Sequence, residues 1–143
     1  MNISRLAVCG LLLALPALAQ LDSYTLRAKY GAPLNRETFH MPQGFDLAVD
    51  YGAGNQVCKL GVPAEMPPQP NVSGPFNPRQ QMQDFLADLV PDSMRGKELR
   101  RFAASTGAFS AVSWTEYEHM TISQSNSGRN DTITVIFHNG GCP

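Results

Sequence analysis

Residues 45 to 51 read Phe45-Asp46-Leu47-Ala48-Val49-Asp50-Tyr51. Phe45, Leu47, Val49 and Tyr51 fall on one side of an extended chain, Asp46 and Asp50 on the other. Side chains of a strand point alternately to its two faces, so this pattern marks a strand with one face buried and one in water. Strands of that kind belong to antiparallel sheets. Gly52-Ala53-Gly54-Asn55 supplies a turn, and Gln56 to Val62 returns with Cys58, Leu60 and Val62 on one face. Upstream, Met41-Pro42-Gln43-Gly44 is a turn with proline fixing φ at its second position. Glu37 to Met41 is a short strand before it, and Leu21 to Tyr30 a helix. Asp22 or Ser23 can cap that helix, Gly31 ends it, and Pro33 prevents its continuation.

Downstream, residues 63 to 78 hold Pro63, Pro67, Pro68, Pro70, Pro75 and Pro78. Proline removes a backbone donor and fixes φ, so this stretch reads as an extended linker. Asn77-Pro78 opens a second helix, with Gln80 at the capping-box position. Met82, Phe85, Leu86, Leu89 and Val90 follow helical spacing, and Pro91 stops the run. Asp92 or Ser93 would cap a further helix through about Ser105, with Leu99, Phe102 and Ala103 apolar. Ala111 to Gln124 reads as one strand or a bulged pair. A polar loop, Ser125 to Asn130, precedes an alternating strand from Thr132 to Phe137. The expected fold is α+β: an antiparallel sheet of about five strands with two or three helices packed on one face. The element order also fits two diverged α+β halves, although no residue-level repeat supports that.

The N-terminus predicts the compartment. Arg5 precedes an uncharged run from Leu6 to Leu15, then Pro16 and Ala17-Leu18-Ala19. This is the order of a cleavable secretory signal, with cleavage expected near Ala19-Gln20. The run is about ten residues, short of the ~20 a spanning helix needs. Residues 20–143 are then a single exported domain, secreted or periplasmic and not membrane-spanning. Cys9 leaves with the signal. Cys58 and Cys142 remain, and a cysteine pair in an oxidising compartment predicts one disulfide. It would close a loop of roughly 85 residues, worth about 4 to 5 kcal/mol in the chain-entropy model. Eleven basic residues against twelve acidic ones argue against a nucleic-acid partner, whose footprint is a strong basic bias.

Lys29-Tyr30-Gly31-Ala32-Pro33-Leu34-Asn35-Arg36-Glu37-Thr38-Phe39 and Gly44 to Gly52 with Gln56-Val57-Cys58 carry a resemblance, as do Arg95-Gly96-Lys97-Glu98-Leu99 and Thr115-Glu116-Tyr117-Glu118-His119. The chain resembles small exported bacterial proteins of unassigned function. That resemblance implies a compartment and no activity. A looser similarity, to helix-plus-hairpin units of β-lactamase-inhibitor-like and outer-membrane-assembly small lipoproteins, rests on the Tyr30-Gly31-x-Pro33 turn after the first helix. This chain lacks the lipid-bearing cysteine of those lipoproteins, and likeness of fold does not transfer function.

Candidate sites are few. Glu116, Glu118 and His119 are titratable groups close in sequence, able in principle to hold a metal or act as an acid–base pair. On a continuous strand the two acids would share one face, the usual pattern of a solvated surface. No Gly-x-Ser-x-Gly elbow is present. Trp114 and Tyr117, with Phe109 nearby, could form an aromatic contact patch, since aromatics are enriched at interface centres. Arg95, Lys97, Arg100 and Arg101 form one basic cluster, of which Arg100 and Arg101 are the candidates for contact with a partner. The expected function is a non-catalytic binding module for a protein or an envelope component, with no cofactor. The alternative is a small exported hydrolase or metal-dependent enzyme built on Glu116, Glu118 and His119.

Overall fold

The alternation at Phe45–Tyr51 is realised as strand β2 (Asp46–Tyr51), in which Leu47 and Val49 are fully buried. The computed structural model describes residues 22–31, 38–52, 55–70, 76–107, 110–128 and 131–142; the expected signal segment lies outside them. Around β2 are β1 (Thr38–His40) and β3 (Val57–Pro63), preceded by helix α1 (Ser23–Tyr30). The second half comprises helices α2 (Pro78–Leu89) and α3 (Asp92–Arg95), then β4 (Glu98–Gly107), β5 (Ser110–Tyr117), β6 (Met120–Asn126) and β7 (Thr132–Phe137). All seven strands form one antiparallel sheet in the order β1-β2-β3-β7-β6-β5-β4. Two meanders therefore meet where β3 pairs with β7, Leu60 opposite Val135 and Val62 opposite Ile133.

Local chemistry sets the helix ends. Asp22 Oδ1 accepts from the Thr25 amide at 2.7 Å, and this bond holds the Asp22 carboxyl below its ordinary range. Gly31, at φ 87°, ends α1. Asn77 Oδ1 caps α2 by accepting from the Gln80 amide at 3.1 Å, with Pro78 in the first turn. Met82, Phe85, Leu86 and Leu89 are the buried stripe of α2. Phe85 meets Phe45 edge-on, ring centres 5.1 Å apart, on the same sheet face as Leu47, Val49, Leu60 and Val135. Leu26 brings α1 to that core, and Lys29 pairs with Asp88 of α2 at 3.0 Å. Hydrogen bonding to Asp88 raises the Lys29 pKa.

Two expectations from the sequence need correction. The sheet has seven strands, not about five, and strands rather than helices dominate. The helix expected through Ser105 stops at Arg95, because Gly96 takes φ 74° and turns the chain away. Residues 98–107 then lie along β5 as a strand. The stretch Ala111 to Gln124 is two strands, divided at Glu118-His119. Helical spacing at Leu99, Phe102 and Ala103 was outweighed by cross-strand pairing, a tertiary effect that sequence periodicity does not contain.

Cys58 and Cys142 form the expected disulfide, with Cα atoms 5.2 Å apart. It joins the start of β3 to the segment beyond β7. Gly140 lies directly over Cys58; a Cβ there would stand 2.5 Å from the Cys58 Cα. The proline-rich stretch is docked at its start: Ala64 and Met66 are buried, and the Met66 amide donates to the Pro78 carbonyl at 3.0 Å. Among the described residues no helix is long and apolar enough to cross a membrane.

Candidate functional site

Strand register sorts the candidate residues onto two faces. Arg101 opposes Thr115, which opposes Ile122, which opposes Val135 of the core, so this row faces the helices. Phe102 opposes Trp114, then Ser123, Thr134, Gly61 and Ala48, and this row faces away from them. Tyr117 and Arg101 are thus on the helix side, Trp114 and Arg100 on the outer side.

The outer side carries the densest cluster. The Phe102 and Trp114 rings stack at 5.6 Å between centres and 29° between planes. The Arg100 guanidinium lies over the Phe102 ring at 5.3 Å and forms an ion pair with Glu116. Phe102 is 41% exposed, and Ile136 on the same face 40%. Along the row that continues from the aromatic pair the outer face is made of small residues: Ser123, Thr134, Gly61 and Ala48. Ala48, Gly61, Pro63, Thr132 and Thr134 floor a shallow depression bounded by Asp46 and Asp131.

The helix side holds a groove of about 310 Å³ where α2 leaves the β4–β6 part of the sheet uncovered. Leu86, Ile122 and Ile133 give it apolar walls, Gln83 and Gln124 polar ones. Arg95 stands at its end, and its donors are engaged. Nε donates to the Val90 carbonyl at 2.6 Å and an Nη to that of Leu86 at 3.2 Å. It therefore caps the carbonyl end of α2, with its guanidinium 6.0 Å from the Tyr117 ring centre. Arg101 is exposed and pairs with Glu98 at 2.8 Å.

Glu116, Glu118 and His119 are not gathered. Glu116 is held by Arg100 on the outer face. Glu118 accepts from the Lys97 amide at 2.8 Å in the β5–β6 turn. The His119 amide donates to the Arg95 carbonyl at 3.1 Å. Among the described residues no group of three or more His, Cys, Asp or Glu could hold a metal ion. His138 is tied elsewhere: Nδ1 donates to the Glu118 carbonyl at 3.2 Å, since a carbonyl can only accept, and Nε2 lies 3.0 Å from Thr121 Oγ1. His40 pairs with Asp46 at 2.9 Å, at the far edge of the sheet.

Phe109 lies outside the described residues. Phe102 is the residue that sequence reasoning misplaced, as part of a helix. Its only signal was the alternation Arg100-Phe102-Ala104 against Arg101-Ala103. No protein-family model, curated protein or solved structure matches this chain.

Proposed function

We propose that the chain is an exported, non-catalytic binding module whose contact surface is the outer face of the sheet around Phe102 and Trp114. The carrying observation is that stacked pair, set on the sheet face opposite the helices and flanked by the Arg100–Glu116 ion pair. Aromatic and arginine side chains carry most of the energy at protein contacts, because a rigid ring buries large area at low entropic cost. Paired rings on a strand pair are already ordered, which further lowers the cost of contact. The small residues beside them permit close approach of a flat partner. The partner is a protein or another envelope component. The disulfide and the signal-like N-terminus support the exported setting.

Trp114 is the only tryptophan, so its emission reports on this face directly. The purified chain is titrated separately with peptidoglycan, anionic lipid vesicles and a detergent extract of envelope proteins. One of these should shift Trp114 emission saturably, and Phe102→Ala or Arg100→Ala should weaken that binding by about tenfold or more. The reading fails if none produces a saturable shift, or if both variants bind as the parent does.

A further inference from the structure

The two edges of the sheet are unlike. β1 is three residues long, whereas β4 is ten, and the sheet order ends on it. An exposed edge presents unpaired N–H and C=O groups that template pairing with another chain, so natural sheets blunt edges by brevity, proline, bulges or a cover. β1 is short. β4 is irregular only at its ends: register shifts fall between Glu98 and Arg100 and between Ser105 and Gly107. The six residues from Arg100 to Ser105 pair with β5 without interruption and include no proline.

We infer that β4 pairs antiparallel with β4 of a second copy, about a two-fold axis at Phe102. Residues directly opposed across an antiparallel pair share a face, so a two-fold register centres on a residue, never between two. Centring on Arg100 or Arg101 would set like charges against each other. Centring on Ala103 opposes no like charges but leaves each Phe102 against Ala104. Centring on Phe102 sets Arg100 against Ala104 and Arg101 against Ala103. It also places the two Phe102 rings side by side, each stacked on its own Trp114. A row of four aromatics then crosses the joint, and the outer faces of both copies become one surface. The register is self-complementary, as a two-fold interface requires, which favours a second copy over a foreign strand. This inference goes beyond the binding reading and stands without it.

The test is sedimentation velocity of the purified chain, disulfide intact, from about 1 to 200 µM, since a joint this small falls at the weak end of interfaces. It is paired with oxidation of Phe102→Cys, Ala104→Cys and the double variant Arg100→Cys/Ala104→Cys. Opposed residues have Cα atoms about 4.5 to 5.5 Å apart, within disulfide reach. The two copies of residue 104 would stand roughly 13 Å apart along the strands, out of reach. The unsubstituted chain, oxidised alongside, accounts for any linkage through Cys9. The expected result is a dimer that dissociates on dilution. Phe102→Cys and the double variant should link into dimers about tenfold faster than Ala104→Cys alone. The double variant retains Phe102, so a folding defect in Phe102→Cys leaves the register testable. A chain monomeric at every concentration overturns the inference. So does a dimer in which Ala104→Cys links as fast as the double variant, or a chain that takes up an unrelated extended peptide and never a second copy.

Discussion

Reducing the Cys58–Cys142 bond should cost more stability than removing any single surface interaction. The bond joins residues 84 apart in sequence, linking the first strand of the central β3–β7 pair to the segment after the second. Its release leaves the folded packing in place and acts chiefly on the unfolded chain. For a loop of this length the chain-entropy model gives about 4.5 kcal/mol. In a domain of this size 1 kcal/mol moves Tm by roughly 3 to 6 °C, so a fall on the order of 15 to 25 °C is expected. Equilibrium urea unfolding, followed by Trp114 emission, compares the oxidised chain, the chain in excess dithiothreitol, and Cys58→Ala/Cys142→Ala. The reduced unfolded chain is also less compact, so the denaturant slope should rise. A loss below about 1 kcal/mol, with the bond shown intact beforehand, would refute the argument that the bridge acts by closing a long loop.

Phe85→Ala removes the ring that meets Phe45 in the core and should cost about 3 to 5 kcal/mol in urea unfolding. Gly140→Ala forces a methyl against the Cys58 backbone, so it should lower stability by about 1 to 3 kcal/mol and slow formation of the disulfide in refolding assays. The Asp22 carboxyl is held below its usual pKa by the Thr25 amide, so its contribution is present above pH 3.8 and is lost as pH falls through the depressed value. Amide protection across α1, taken relative to the intrinsic exchange rate at each pH, should fall in that acid range, and Asp22→Asn, which keeps an acceptor but does not titrate, should abolish the pH dependence.

How much was legible depended on how local each determinant is. The cap at Asn77, the stripe Met82 to Leu89 and the stop at Pro91 lie within one short segment, and α2 follows from them. β2 and β7 have one wholly apolar face each, so their alternation was readable. β4 has no such face: Arg101 and Ala103 point one way, Arg100 and Phe102 the other. Only pairing with β5 makes it a strand. The candidate contact face inherits that difficulty. Trp114 could be picked out as an aromatic, but its partner Phe102 could not, and the clusters Arg100/Arg101 and Trp114/Tyr117 are divided between two faces by strand alternation. Glu116 and Glu118 were expected to share a strand face; the chain turns at Glu118, and they do not.

The proposed contact surface exists only if residues 98–107 are a strand beside β5, and nuclear Overhauser contacts on the labelled chain test this most directly. Close Hα–Hα contacts should appear at alternate pairs among Arg101–Thr115, Phe102–Trp114 and Ala103–Ser113, together with contacts between the Phe102 and Trp114 rings. Sequential i to i+3 contacts from Gly96 to Ser105, with no contact to β5, would mark a helix there and contradict the account.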